Sequence, residues 1–245
     1  MLDGARCLRD GLLSTSDTSD HCFDQFISPI SNPLFFEDPR TLTESRFIFA
    51  DHNIPGSTLG GNAQYYALQV RLALNDRLSI IATKDGYVRL NTDALPNDEG
   101  WANIAAGLKY NVLWDLDIPS IWSVGATYEF TAGSRGVLQG NGDGDFHVFL
   151  SGARQLGCYT NWMTGTGIRL PVNTTKGSTL WYWSNHLDWQ IACNLFAVVE
   201  VNWFHWLESG DGASFSTTGF EGFDLFNLGS SGVAGNNIVT GAVGT

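Results

Sequence analysis

From Arg46 onward the apolar residues recur at almost every second position, and sustained helical spacing is hard to find. Successive side chains of a strand point to opposite faces, so a period of two held over most of a chain makes it all-β. In QYYALQVRLAL one face carries Tyr66, Leu68, Val70, Leu72 and Leu74, the other Tyr65, Ala67, Gln69, Arg71 and Ala73. Asn75-Asp76 then reads as a two-residue hairpin turn. The following run loses its alternation at Lys84-Asp85-Gly86, where a bulge at Gly86 would restore the register. The clearest alternation sets Ile104, Ala106, Leu108, Tyr110, Val112 and Trp114 against Asn103, Ala105, Gly107, Lys109 and Asn111. It continues with Trp122, Val124, Ala126, Tyr128 and Phe130 against Ser123, Gly125, Thr127 and Glu129.

Ten strands are read, near 44–52, 63–74, 77–91, 101–114, 120–131, 145–156, 161–173, 179–192, 195–208 and 236–245. Connections after odd-numbered strands are long (53–62, 92–100, 132–144, 174–178, 209–235), and those after even-numbered strands are short (75–76, 115–119, 157–160, 193–194). A meander sorted in this way has its tight turns at one end and its loops at the other. That is the plan of an antiparallel up-and-down transmembrane β-barrel. A soluble sandwich would share the alternation, but a Greek key would not sort its loops. The polar face is rich in Gly, Ala, Ser and Thr, as suits a narrow interior, and the apolar face ends in Trp, Tyr or Phe, as at a headgroup boundary.

The balance of the 245 residues agrees: 43% hydrophobic, 16% charged and a net charge of -12. An acidic chain without a Lys/Arg cluster argues against a nucleic-acid partner. No window approaches 18 apolar residues, which excludes a membrane-crossing helix but not a barrel, whose strands need only about 9–11 residues each. The N-terminus shows no signal peptide, so one has been removed or the sequence is a fragment.

The stretches SNPLFFEDPRTLTESRFIF (31–49), GGNAQYYALQVRLALNDRLSIIATKDGYVRLN (60–91), VVEVNWFHWLESG (198–210) and FEGFDLFNLGSSGVAGNN (220–237) resemble a family of uncharacterised outer-membrane β-barrels of planctomycete-type bacteria, distantly similar to porin-like transporters. The resemblance covers roughly 31–245 and carries no assigned chemistry. It implies a bacterial outer-membrane location and a parent barrel of twelve strands, because members continue past the equivalent of GAVGT with two more. An open seam between 44–52 and 236–245 is therefore expected, in preference to a strained ten-strand closure.

The expected division is an N-terminal periplasmic, plug-like segment, 1–43, ahead of a barrel over 44–245. Residues 1–25 are expected to be poorly ordered. FISPISNPLFFEDPRTLTE (26–44) holds Phe26, Ile27, Ile30, Leu34, Phe35 and Phe36, which need cover and should pack into or under the barrel floor. On the inner face lie Gln69, Arg71, Lys109, Asn111, Glu129, Arg169, His186, Asp188, Gln190, Glu200 and Asn202. They either form a polar lumen that selects solutes or fill a closed interior, with Arg71, Lys109 and Arg169 paired to Glu129, Asp188 and Glu200. Phe215, Phe220, Phe223 and Phe226, with Leu225, are too apolar for a solvated loop and should fold inward or over the barrel mouth.

No chemistry is expected at Ser184, Asn185, His186 and Asp188, because Asn185 leaves the face that Ser184 and His186 share, and residues two apart on a strand are not placed for nucleophile–base contact. The loop with Asn141, Asp143 and Asp145 opens like a calcium loop but lacks its closing glutamate. The cysteines, Cys7, Cys22, Cys158 and Cys193, show no metal-ligand spacing. Cys158 and Cys193 both fall at short turns of the same end and are candidates for a disulfide. No metal or cofactor is expected. The reading is a non-enzymatic barrel whose partners are the lipid bilayer and small solutes. The alternatives are a structural or adhesive barrel with a plugged lumen and a soluble all-β carbohydrate-binding domain.

Overall fold

The computed structural model describes residues 22–56, 60–193, 195–212, 221 and 224–245. Its strands are β1 (Glu44–Asn53), β2 (Asn62–Ala73), β3 (Leu78–Lys84), β4 (Tyr87–Asn91), β5 (Asp98–Trp101), β6 (Ile104–Asp115), β7 (Ser120–Phe130), β8 (Asp145–Gln155), β9 (Thr160–Pro171), β10 (Thr179–Ala192), β11 (Leu195–Glu208) and β12 (Asn237–Gly244). All belong to one antiparallel sheet, and every pairing joins neighbours in a meander. No described helix is long and apolar enough to cross a membrane.

The twelve segments amount to ten continuous strands, because β3 runs on into β4 and β5 into β6. The first of these breaks lies at Asp85-Gly86. Gly86 has φ of 115°, and a Cβ there would strike the Tyr66 carbonyl oxygen. The Asp85 carboxylate accepts the Leu68 N–H at 2.9 Å, replacing a lost rung of the ladder. On either side β2 pairs with β3 through Val70–Ala73 and with β4 through Asn62–Tyr66. The second break, at Ala102-Asn103, answers the first, so that β4 pairs with β5 and β3 with β6.

The strands depart from the sequence pattern at two places. The turn after β2 spans Leu74–Arg77 and is longer than two residues, because the Asn75 side chain accepts the N–H groups of Arg77 (2.9 Å) and Leu78 (2.8 Å). In β6 the register slips between Asn111 and Leu113. One extra residue reverses the parity of a strand. Leu113 therefore faces out at 66% exposure, while Trp114, expected outside, turns in to pack against a buried cluster.

The sheet curls around residues 22–43, and its core lies on the concave side. Three consecutive residues of that segment serve three different walls. Leu34 joins Tyr65, Val88 and Leu90; Phe35 joins Tyr182, Phe204 and Trp206; Phe36 joins Ile121, Ala153 and Met163. Phe23, within the stretch expected to be poorly ordered, is 1% exposed beside Phe26 and Phe36. A Cβ on Gly165 would come within 2.6 Å of the Phe36 ring, so β9 passes close to the plug only because it has glycine there.

The sheet does not close on itself. β1 pairs only with β2 and β12 only with β11, and among the described residues no ladder joins β1 to β12. The expected seam is present.

Truncating Phe36 to alanine should cost about 3–5 kcal/mol, since a rigid pocket between β7, β8 and β9 cannot collapse around the void. The midpoint of denaturant unfolding would show it. A loss below 1 kcal/mol would mean that the plug does not order the sheet.

Candidate functional site

The interior is built from the polar face of the strands and the 22–43 plug, and its charges are paired across the two. Glu37 sits at the centre of the largest group. Its carboxylate accepts Arg71 in a two-pronged contact, Nε to Oε1 at 2.6 Å and Nη2 to Oε2 at 2.8 Å, and Lys109 Nζ at 3.0 Å. Arg71 also donates to Glu44 at 2.5 Å. Lys109 has three N–H donors, and the other two meet the carbonyls of Asp38 and Arg40. Next along the plug, Arg40 grips Asp38 through Nε (3.0 Å to Oδ1) and Nη2 (2.7 Å to Oδ2), and Asn111 donates to Thr41 at 2.7 Å.

On the opposite wall, Glu200 of β11 accepts the backbone N–H groups of Ile30 (2.8 Å) and Ser31 (2.6 Å) and meets His186 Nδ1 at 2.7 Å. His186 Nε2 lies 3.2 Å from Asp188, which accepts Asn161 Nδ2 at 2.9 Å. Asn202 donates to Ser31 Oγ at 2.9 Å, and Asn32 donates to Ser184 Oγ at 3.1 Å. Toward the loop end a third group joins Lys84 to Glu129 (2.6 Å) and Arg169 to Glu129 and Asp145 (both 3.1 Å). Returning loop chain covers it. The Leu225 carbonyl accepts Lys84 Nζ at 2.7 Å, and Asn227 donates to Asp145 at 2.8 Å.

Ten of the eleven inner-face candidates, Gln69, Arg71, Lys109, Asn111, Glu129, Arg169, His186, Asp188, Glu200 and Asn202, are buried. Gln190, near the turn end, is half-buried. The pairing differs from expectation. Of the proposed pairs only Arg169–Glu129 forms; Arg71 and Lys109 turn to Glu37, and Asp188 and Glu200 share His186. Sequence reading missed Glu37, Asp38, Lys84 and Asp145 as interior charges. The available signal was an inward cation, Lys109, with no acid at its cross-strand positions, Ser79 and Gly125.

Ser184 makes its hydrogen bond to Asn32, and His186 is held between two carboxylates, so no nucleophile–base pair exists there. The Asn141–Asp145 loop does not converge either. Asp143 binds Lys176 at the rim (2.9 Å), while Asp145 turns inward to Arg169. Among the described residues no cluster of His, Cys, Asp and Glu could hold a metal. Of the mouth residues, Phe215, Phe220 and Phe223 lie outside the described residues; Phe226 and Leu225 pack against the cluster around Leu34.

The candidate Cys158–Cys193 disulfide is absent, and both are exposed free thiols. Their hairpins, β8–β9 and β10–β11, are displaced by two strand spacings. At about 4.8 Å each that is roughly 10 Å, beyond the reach of a disulfide. Cys22 is disulfide-bonded.

The outer face inverts the usual order of a globular protein. Leu108 is 52% exposed while its neighbour Lys109 is 1% exposed. Leu68, Val70, Leu72, Ile80, Val124, Val148, Leu150 and Val201 form an exposed aliphatic band around the middle. Toward the loop end it gives way to aromatic pairs: Phe49 with Tyr66, Tyr87 with Trp101, Tyr128 with Phe146, and Trp181 with Trp203, at centroid distances of 4.9–5.4 Å. Compared with protein-family models, with curated proteins and with solved structures, the chain matches none.

Burial would raise the Glu37 carboxyl, but the Arg71 guanidinium and the Lys109 ammonium outweigh it and hold it at about 2, against an ordinary 4.5. Because the folded-state value is depressed, the stabilisation is complete above pH 4.5 and is lost as pH falls from there toward 2. The plug should loosen over that window, by an amount on the order of 3 kcal/mol. Protease cleavage within 22–43, followed against pH, would report it. The Glu37→Gln variant should be cleaved at neutral pH, since it removes the carboxylate that Arg71 and Lys109 share. Equal resistance at pH 2.5 and pH 7 in the native chain would contradict the assignment.

Proposed function

We propose that this chain is the wall and plug of a bacterial outer-membrane β-barrel, non-enzymatic, which passes small solutes when its N-terminal segment loosens. One observation carries the reading: a sheet whose convex face is an aliphatic band edged by aromatics and whose concave face holds the charges. In water such a face would be an apolar surface far larger than a soluble monomer exposes. Against hydrocarbon it is the ordinary outside of a barrel. The sorting of turns and loops to opposite ends and the resemblance of 31–245 to outer-membrane barrels point the same way.

In a bilayer an open seam would leave backbone N–H and C=O groups unpaired at several kcal/mol each, so the reading requires the free edges of β1 and β12 to be paired in the membrane. A structural barrel with a permanently filled lumen is the second reading. It is favoured by the interior itself, where Glu37, Glu129 and Glu200 each tie two or more partners. Conductance in a planar bilayer separates the two. Passage predicts small, rare openings in the native protein and larger, more frequent ones in Glu37→Gln. Identical silence of both would leave the structural barrel.

Arginine at Leu108 should destabilise the membrane-inserted protein by about 2–4 kcal/mol, because the charge meets hydrocarbon near the midplane. Arginine at Asp51, exposed near the loop end of β1, should change stability by under 1 kcal/mol. Equal tolerance of both, or a folded state that survives without detergent or lipid, would favour a soluble carbohydrate-binding domain.

A further inference from the structure

The plug does not fill the interior evenly. It packs against β2 through β11 and leaves a cavity of about 650 Å³ beside β1. Alternation along β1 sends Arg46, Ile48, Ala50 and His52 to the concave side, opposite the inward residues Gln69, Ala67, Tyr65 and Ala63 of β2. All four β1 residues line the cavity. Six residues separate Arg46 from His52, so at roughly 3.4 Å per residue this wall is about 20 Å long. Across from it stand Ile30, Leu34 and Phe226. The space follows this wall and is apolar along its body.

Its two ends differ in charge. At the inner end Arg46 donates one hydrogen bond, to the Pro29 carbonyl at 3.0 Å, and stands 3.8 Å from Glu44, outside hydrogen-bond range. A guanidinium has five N–H donors, so Arg46 has the capacity to take a carboxylate in a two-pronged contact. At the other end Asp224 lines the cavity and would repel an anion.

We propose that this cavity binds a single-chain amphiphile with an anionic head, of the fatty-acid type, its carboxylate on Arg46 and its hydrocarbon chain along Ile48 and Ala50 toward Phe226. The charge gradient fixes the orientation, and the apolar walls exclude a sugar or a small ion as the preferred occupant. The inference deepens the barrel reading by naming a solute class. The cavity is also lined by Phe47, Phe49 and Asp51, so it reaches the free edge of β1, and the site requires that whatever pairs with that edge leave the concave face open.

The test is native mass spectrometry of the full chain, released from detergent micelles after incubation with dodecanoate or with dodecanol. One dodecanoate per chain should be retained, with dodecanol bound more weakly. Ala50→Trp, which fills the space beside β1, should abolish both adducts. Arg46→Gln should weaken dodecanoate roughly tenfold, the equivalent of one charge-assisted contact, and leave dodecanol unchanged. Ile48→Trp repeats the blocking test should Ala50→Trp not fold. Undiminished dodecanoate in a folded blocking variant, or equal loss of both probes in Arg46→Gln, overturns the site. A chain that inserts into vesicles but retains no dodecanoate overturns the site and leaves the barrel reading standing. A chain that stays in solution without detergent yet retains dodecanoate through Arg46 overturns the barrel reading alone.

Discussion

The Glu37 carboxylate is the point on which the interior is organised. Two inward cations, Arg71 on β2 and Lys109 on β6, converge on Glu37; of the strands' own acids Glu44 on β1 meets Arg71, while Lys109 has Ser79 and Gly125 across from it and no strand acid. Burying an uncompensated charge costs several kcal/mol, so a sheet with this sequence cannot curl inward unless an anion arrives from elsewhere. The plug supplies it, and the residues around Glu37 are placed accordingly. Leu34, Phe35 and Phe36 precede it and each enters a different apolar cluster; Asp38 and Arg40 follow it and neutralise each other. Glu200 holds the plug from the far wall by its backbone N–H groups. The segment is thus fixed by charge on two sides and by packing on three.

Much of this was legible in the sequence, for a physical reason. A period of two is a local property, so the inward and outward faces of β2, β7, β10 and β11 follow from the residues themselves, and so does the sorting of short turns to one end. Parity fails where one residue is inserted. Gly86 announced its bulge because lost alternation and a glycine coincide there. The slip at Val112 left no such mark, since Val112 and Leu113 are both apolar, and Trp114 was placed on the wrong face. Pairing of charges was the least legible feature. Glu37 lies 34 residues before Arg71 and 72 before Lys109, and no local rule connects them. The cysteines failed on distance, because sharing an end of the sheet does not make two hairpins adjacent.

Function follows from the relation between the two faces of the sheet. Most of the inner face is satisfied by its own chain and the outer face carries an exposed aliphatic band, so on the proposed reading the outside is where the molecule meets its partner, hydrocarbon. On that reading the interior is a lumen in which the plug is both the core of the fold and the obstacle to passage. Such coupling makes opening and loss of stability parts of one event. The space beside β1 is a large part of the interior that the plug leaves open.

The central claim is that the convex face of the sheet meets lipid, and spin-label accessibility tests it most directly. Labels are placed at Leu108, Val148 and Val201 in the band and at Leu156 in a short turn, with Cys158 and Cys193 replaced by serine and the protein reconstituted into vesicles. Oxygen should relax the three band positions strongly and a water-soluble nickel complex hardly at all, with the reverse at Leu156. Free access of the nickel complex to Leu108, Val148 and Val201 would contradict the account.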